Sequence, residues 1–392
     1  MILNRVMNSK LCLVSMALLA AVSAAQKDPK AKKTAGVTLG VKTPGVQIPY
    51  ASLKSDADIV LDSPVTGLAF TDAAWMGNAS AIHKIDAKTN KPPEPAVNIP
   101  AEKVCGGMVN AFAHLWVAAC GSKSLLKVDV PAPPAPPGGR GGRGPASPDG
   151  PPPGPKPEKA EAAAAPAPEA PKPAPAKPAG PPKIAATLAG VSPAASSAMA
   201  ASDDSIWLLA DNKTALQRID PKENQIVAEM RLPGGCSSIL YAETALWVTC
   251  PGEPKLLRID PRTNLVDKRI DVPAEPVALA AGDGSVWVLC RKEGKVVRID
   301  PKTNKVSATV ELAVPGASGT MAFGEGSLWV SIPGFPLARI GTTAEKEKVL
   351  QQFTGEGGGL VQFGLNSLWL TSAGSNTVVR FDPKRVIATL AE

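Results

Sequence analysis

Few side chains in this 392-residue sequence belong to the types that usually carry catalysis or bind metal. Histidine occurs only at His83 and His114, which argues against a multi-histidine metal site and against most acid–base schemes that use imidazole. No phosphate-binding loop, zinc-peptidase motif or nucleophile elbow occurs in the sequence. A net charge of +7 is small for a chain of this length and does not indicate a nucleic-acid-binding surface. We therefore assign no catalytic residue, no metal site and no cofactor, and we expect no nucleic-acid partner.

Four cysteines bracket two tryptophans at matching distances. In each pair the first cysteine lies 11 residues before the tryptophan and the second lies three or four residues after it: Cys105 and Cys120 around Trp116, and Cys236 and Cys250 around Trp247. If each tryptophan lies in the second strand of a hairpin, the paired cysteines face each other within disulfide reach. We predict the disulfides Cys105–Cys120 and Cys236–Cys250.

The remaining cysteine beside a tryptophan is expected to be unpaired. Cys290 follows Trp287 as Cys250 follows Trp247, but the position where its partner would lie holds Pro276. We predict that Cys290 is a free thiol.

Binding candidates come from residues expected in turns: Phe335, Glu356, Glu275, Glu253 and Arg291. Phe335 is a large apolar side chain in a turn flanked by prolines, a common form for a contact residue. The alternative is that Phe335 folds back onto its own strands and covers their edge. The three glutamates alternate with basic residues along the chain, so spacing alone does not show whether their carboxylates converge.

An internal repeat determines which fold must position these residues. All seven tryptophans stand between apolar neighbours, and they occur at Trp75, Trp116, Trp207, Trp247, Trp287, Trp329 and Trp369. Successive tryptophans lie about 40 residues apart, except for one spacing of 91, which becomes about 40 when a proline-rich stretch is removed. Seven units of this length are typical of a repeat architecture.

Each unit reads as four short strands separated by turns, most clearly at residues 276–312. Four antiparallel strands in about 40 residues is the period of a β-propeller blade. We predict an all-β fold, a seven-bladed β-propeller of four-stranded antiparallel blades over residues 58–392. Residues 58–61 and 385–390 both suit the fourth strand of blade seven. Either the two strands pair side by side or one replaces the other.

The repeats resemble the streptogramin (virginiamycin B) lyase-like and YncE/YVTN-type propellers. The resemblance rests on the pattern Gly-x-Gly-Ser-x-Trp-Val followed by Arg-Ile-Asp-Pro-x-Thr-Asn, clearest at residues 282–304 and 246–264. It implies a seven-bladed ring, and for the lyases a histidine, neighbouring glutamates and a magnesium ion on one face. Because His83 and His114 align with other places in the repeat, no residue of a lyase site is carried over to this sequence.

Two sets of residues recur at equivalent positions of the repeat, and we call each set a column. We interpret the tryptophans as packing between adjacent blades rather than as a carbohydrate platform. A basic residue follows each tryptophan by 9 to 11 positions, and in most units Asp lies two residues later, next to a turn. We interpret this column as a repeated structural salt bridge or turn lock, rather than as an anion-binding ring.

Three segments fall outside the repeat. Residues 1–25 combine Arg5 and Lys10 with an apolar run and a small-residue cleavage site, which predicts a signal peptide. Residues 26–57 are expected to form a mostly irregular N-terminal extension. Residues 131–183 hold 20 of the 41 prolines, and we predict a Pro/Ala/Gly-rich disordered insertion between the third and fourth strands of blade two.

These segments predict a periplasmic or secreted protein without a transmembrane segment after removal of the signal. An oxidising compartment is also what the predicted disulfides require. We expect a monomer, and the basic residues of the insertion suggest contact with the cell wall or another anionic surface.

The favoured function is an exported binding module that holds a protein, peptide or small-molecule ligand on its loop face. The alternative is a divalent-cation-dependent lyase or hydrolase acting at the central funnel, which would need several carboxylates converging on one ion. The positions expected at the funnel mouth are small and neutral, and they include Gly106, Gly107, Ser196, Ser197, Ser237, Ser238, Ser318, Gly319 and Gly358. Their neutrality favours the binding module.

Overall fold

A computed structural model describes residues 39–130, 181–194, 198–210, 213–343, 347–372 and 374–390. These residues form seven sheets, each built on four antiparallel strands and contacting the next, and this confirms the predicted seven-bladed β-propeller. Among them, no helix is both long and apolar enough to cross a membrane. The predicted signal peptide and nearly all of the predicted insertion lie outside the described residues.

The strands are numbered in chain order, and each blade takes four consecutive strands except at the closure of the ring. Two strands precede the first blade, β1 (Gln47–Pro49) and β2 (Ala57–Val60). Blade one contains β3 (Gly67–Phe70), β4 (Ala73–Gly77), β5 (Ala81–Asp86) and β6 (Asn98–Pro100). Blade two contains β7 (Val104–Ala111), β8 (His114–Ala119), β9 (Ser124–Asp129) and β10 (Lys183–Leu188). Blade three contains β11 (Met199–Ala201), β12 (Ile206–Ala210), β13 (Ala215–Asp220) and β14 (Gln225–Arg231).

The second half of the ring repeats this order. Blade four contains β15 (Ser238–Ala242), β16 (Ala245–Thr249), β17 (Lys255–Asp260) and β18 (Leu265–Asp271). Blade five contains β19 (Pro276–Gly282), β20 (Ser285–Cys290), β21 (Lys295–Asp300) and β22 (Lys305–Glu311). Blade six contains β23 (Thr320–Gly324), β24 (Ser327–Ile332), β25 (Phe335–Gly341) and β26 (Val349–Thr354). Blade seven contains β27 (Val361–Gly364), β28 (Ser367–Thr371) and β29 (Thr377–Phe381), and helix α1 (Pro383–Ala388) follows it.

An N-terminal strand closes the ring. Strand β2 pairs antiparallel with β29 and is the outermost strand of blade seven. The competing candidate, residues 385–390, does not form a strand. Its first residues belong to α1, where Asp382 caps the helix by accepting a hydrogen bond from the Lys384 amide and Pro383 lies at the first turn, a favourable start for a helix. The N-terminal strand therefore replaces the C-terminal one.

The N-terminal segment also adds a strand that the sequence did not predict. Strand β1 pairs in parallel with β26 and makes blade six five-stranded. The buried amide of Gln352 holds the preceding residues, because its Oε1 accepts from the Val41 amide at 2.8 Å. A 3-10 turn at Tyr50–Ser52 then leads toward β2.

The insertion in blade two separates strands that remain paired. Strands β9 and β10 are antiparallel, and Lys183 lies opposite Asp129 in their register. The long segment therefore leaves and re-enters the blade at adjacent points, where other blades have a short turn between their third and fourth strands.

Each tryptophan is buried between its own blade and the next, which confirms the packing interpretation. All seven are 0% exposed. Trp207 of blade three, for example, packs with Leu246 and Val248 of blade four. At the closure of the ring, the rings of Trp369 and Phe70 lie 5.6 Å apart. Burial of a large aromatic ring at each junction makes a major contribution to ring stability.

The basic column joins one blade to the next. Among the described residues, six of the seven basic side chains stack on the tryptophan of their own blade at 5.0–5.6 Å. In blade three, Nη1 of Arg218 then donates to the Pro261 carbonyl at 2.8 Å and to Oδ1 of Asn264 at 3.1 Å, both in blade four. Lys127, Arg258, Arg298 and Arg380 reach the following blade in the same way. We call this arrangement the interblade relay.

The aspartates of the repeat lock turns rather than pair with the basic column. Oδ1 of Asp220 accepts from the amides of Lys222 and Glu223, and these bonds lower the pKa of its carboxyl group. Asp86, Asp260 and Asp300 make the same kind of bond. Of the two interpretations offered for this column, the turn lock is confirmed. The salt bridge of Arg218 instead goes to Asp204, at 2.7 Å.

In five blades the basic residue is an arginine, and in four of these a serine two residues before the tryptophan accepts a hydrogen bond from it. The arginine Nε donates to this serine at 2.7–2.9 Å in four blades, at Ser205, Ser285, Ser327 and Ser367. Blades one and two have a lysine instead, without Nε, and hold Ala73 and His114 at this position. Blade four combines Arg258 with Ala245, and Nε of Arg258 is buried without a hydrogen-bond partner.

We predict that Ala245→Ser stabilises the protein. The new hydroxyl would accept from Arg258 Nε as the other serines do, so the free energy of unfolding should rise by about 1 kcal/mol. Denaturant unfolding of the two proteins measures this difference. Ser285→Ala should cost a similar amount, because it leaves Arg298 Nε without its acceptor.

Ala73→Ser is the matched control for this pair. It makes the same change beside Lys84, which has no Nε, and should leave stability nearly unchanged. Equal effects of Ala245→Ser and Ala73→Ser would contradict the assignment.

Candidate functional site

A funnel opens at the centre of the ring on the face that carries the inter-blade loops. The cavity has a volume of about 670 Å³ and is lined by residues near the start of the first strand of every blade. One such residue from each blade is Thr66, Met108, Met199, Ser238, Ala278, Thr320 and Val361. The first strands are the innermost strands, so the ring geometry brings seven equivalent positions to one mouth.

The lining is mostly small and neutral, as the sequence predicted. Of the expected mouth positions, five line the funnel: Gly106, Ser237, Ser238, Ser318 and Gly319. Gly107 and Gly358 are described but do not line it, contrary to the prediction. Ser196 and Ser197 lie outside the described residues. Among the described lining residues, two carry charge, Lys213 from the turn after β12 and Arg291 from the turn after β20, and both charges are positive.

Arg291 is held by two neighbours. Its Nε donates to Oε2 of Glu275 at 2.7 Å, and its Nη1 donates to the Ser318 hydroxyl at 3.1 Å. The structure thus brings together two of the five predicted binding residues, and Glu275 orients the guanidinium group from outside the lining. Nη2 makes no hydrogen bond to a described residue and the side chain is 35% exposed.

The other two predicted glutamates do not join this pair. Glu253 lies 3.7 Å from Nη1 of Arg269, a residue of blade four, and Glu356 is exposed. Neither residue lines the funnel in the described structure. The carboxylates that the sequence placed near the rim therefore do not converge.

Phe335 is not exposed, contrary to the expectation for a contact residue. It begins β25, is only 6% exposed and packs with Val46 and Ile332. The N-terminal segment that adds β1 to blade six crosses this ring, and Gly40 passes so close that an added Cβ would lie 2.9 Å from a Phe335 carbon. The predicted turn forms at Pro333 and Gly334, but Phe335 lies in the strand that follows. The residues that cover Phe335 lie about 290 positions away in the sequence.

Both histidines are held by other side chains or backbone and lie away from the funnel lining. His83 lies 3.0 Å from the buried amide of Asn78 and 2.9 Å from Asn98. His114 lies 2.5 Å from the Phe112 carbonyl oxygen and 3.2 Å from Asp129. Within the described part of the chain, no three His, Cys, Asp or Glu residues lie close enough to hold a metal ion.

The two predicted disulfides are present, and both hold the funnel mouth. Cys105 is bonded to Cys120, and Cys236 is bonded to Cys250. The lining glycines Gly106 and Gly235 are the direct neighbours of Cys105 and Cys236, and both have positive φ, at 90° and 77°. Glycine adopts this conformation at little cost, and the adjacent disulfide restricts where the turn can move.

Cys290 is a free, buried thiol, also as predicted. It lies opposite Pro276 in the register of β19 and β20. Burial, together with the nearby Glu293 carboxylate, raises the pKa of the Cys290 thiol to about 12.

Lys213 is the lining residue whose importance the sequence did not show. Its position in the turn after the second strand was the available signal, because Arg291 occupies the corresponding turn of blade five.

Comparison with known proteins supports the β-propeller fold but identifies no family. No protein-family profile matches the sequence, and no curated protein matches it. Among solved structures, a chain of the "Crystal Structure of Mitotic Checkpoint Complex" aligns with a TM-score of 0.60 and 8% identity, over 92% of this chain and 98% of that one. BamB from Moraxella catarrhalis aligns with a TM-score of 0.50 and 11% identity, over 83% and 96% of the two chains.

A third neighbour, U3-55K, has a TM-score of 0.57 and 10% identity, over 83% of this chain and 99% of that one. Identities this low show a shared fold alone, since one fold carries many functions. The resemblance to the streptogramin lyase-like and YncE-type propellers is therefore shown only as a seven-bladed β-propeller.

We predict a specific pattern of thiol reactivity in the protein without residues 1–25, which contain Cys12. The native, oxidised protein should not react with a thiol reagent at pH 8, where a pKa near 12 leaves about one Cys290 side chain in ten thousand ionised. Unfolding should expose one thiol per chain, and reduction should raise the count to five.

Reduction should also lower the free energy of unfolding by roughly 3 kcal/mol for each disulfide, because each closes a loop of about 15 residues. Rapid modification of native Cys290, or three thiols on unfolding without reduction, would refute these assignments.

Proposed function

We propose that this protein is an exported binding module that holds a ligand in the funnel on its loop face. One observation carries the proposal: a cavity of about 670 Å³ is lined by all seven blades, and its lining is small and mostly neutral. A cavity of this size suits a small molecule or the end of a peptide. The β-propeller fold also commonly serves as a protein-binding module.

Export is supported by two features of different kinds. The disulfides Cys105–Cys120 and Cys236–Cys250 need an oxidising compartment such as the periplasm or the extracellular space. The N-terminal sequence has the pattern of a signal peptide. We also propose that the insertion at residues 131–183 contacts the cell wall or another anionic surface through its basic residues.

The lyase or hydrolase alternative has less support. It would place a divalent cation in the funnel, where the charged lining residues of the described structure are Lys213 and Arg291. The Lys213 charge opposes the binding of a cation, and the Glu275 carboxylate beside the lining already pairs with Arg291. The several converging oxygens that a divalent cation needs are not found among the described lining residues.

A plug in the funnel tests the proposal. Ser238→Trp and Gln362→Trp each place a large neutral side chain on the lining, on opposite sides of the mouth. Cross-linking in the exported fraction, followed by mass spectrometry, should identify adducts of the wild-type protein that both variants lose. Thermal unfolding establishes that each variant is folded.

Val227→Trp is the matched control, because Val227 is 55% exposed on the outer strand β14, far from the funnel. It should retain the wild-type adducts. If both plugged variants also retain them, the funnel is not the binding site.

A further inference from the structure

We propose that the funnel binds an anionic group, a carboxylate or a phosphate, between Lys213 and Arg291. This inference rests on the proposed function and names the chemical class of the ligand. Three features of the structure support it.

The first feature is the sign of the charge in the lining. Lys213 and Arg291 project from the turns of blades three and five, which flank blade four, and no acidic residue lines the described funnel. Glu275, outside the lining, pairs with Arg291. The ammonium group of Lys213 makes no ion pair with a described residue, so its charge is not offset there. A concave site with charge of one sign concentrates ligands of the opposite sign.

The second feature is that Arg291 is already oriented. Glu275 accepts from Nε and Ser318 accepts from Nη1, which fixes the plane of the guanidinium group. Nη2 keeps its two N–H donors available, and the guanidinium group is well suited to bind carboxylate and phosphate oxygens. An arginine held in place before binding loses less side-chain entropy when a ligand arrives.

The third feature is a supply of neutral donors at the same mouth. The hydroxyls of Ser238 and Ser318 and the glycines Gly106 and Gly235 line it. The first strand is the inner edge of every sheet, so part of its backbone N–H groups have no strand partner. Such donors complete the hydrogen bonding of an anion that two cations have drawn into the funnel.

Isothermal titration of the mature protein with succinate and with inorganic pyrophosphate tests the inference. One or both should bind, and binding should weaken as salt is added. In the double variant K213Q/R291Q the dissociation constant should rise at least about tenfold, because each charged hydrogen bond contributes a factor of ten or more. Arg291→Lys should bind better than Arg291→Gln, because it keeps the charge.

Lys292→Gln is the matched control. Lys292 is exposed, follows Arg291 directly and does not line the funnel, so its removal should change the dissociation constant by less than about twofold. Lys213→Gln alone serves as a second variant, because it breaks no hydrogen bond of its side chain in the described structure. Thermal unfolding without ligand checks that each variant is folded.

The outcomes separate the inference from the proposed function. Preference for succinate indicates a carboxylate ligand, and preference for pyrophosphate indicates a phosphate ligand. If neither binds, or if K213Q/R291Q binds as tightly as the wild type, the anionic class is wrong. In that case the plugged variants still decide whether the funnel binds a ligand of another class.

Discussion

The ring depends on one repeated interaction, in which a basic side chain stacks on a buried tryptophan and reaches into the next blade. In blade three, Arg218 lies 5.3 Å from the centre of the Trp207 ring and donates to Pro261 and Asn264 of blade four. The stack fixes the direction of the guanidinium group, and the contact fixes the position of the neighbouring turn. Arg380 makes the same contact with Asn90 across the closure, so the relay joins residues 290 positions apart. Among the described residues, five blades show both the stack and the contact with the next blade, through Lys127, Arg218, Arg258, Arg298 and Arg380.

The residues that hold the blades together, which we call the frame, differ from those that line the funnel. The tryptophans, the basic column and the aspartate turn locks lie in the repeat and hold the blades together. The charged residues of the funnel, Lys213 and Arg291, lie in turns between second and third strands, outside those columns. Such turns can change without disturbing the relay. The two disulfides act at the boundary, since they fasten the start of a first strand to the end of a second strand beside the lining glycines.

Much of the frame could be predicted from the sequence because it repeats. The tryptophan spacing predicted seven blades, and the position of each cysteine within the repeat predicted both disulfides and the free Cys290. Features that occur once could not be predicted in this way. Strand β1 and the cover over Phe335 depend on N-terminal residues that have no counterpart in the blades. Asp382 and Pro383 resemble the turn of other blades but begin a helix, because β2 already occupies the edge of blade seven. The sequence placed charged residues near the rim, but only the structure shows that the cations line the funnel and the glutamates do not.

The central claim is that the basic column joins different blades, and two double-mutant cycles test it directly. One combines Arg218→Met with Asn264→Gly, which removes the partner in the next blade and suits the positive φ at that residue. The other combines Arg218→Met with Asp220→Asn, the acidic neighbour in the same blade. The relay predicts a coupling energy of about 1 kcal/mol in the first cycle and a clearly smaller one in the second. Coupling to Asp220 without coupling to Asn264 would contradict it.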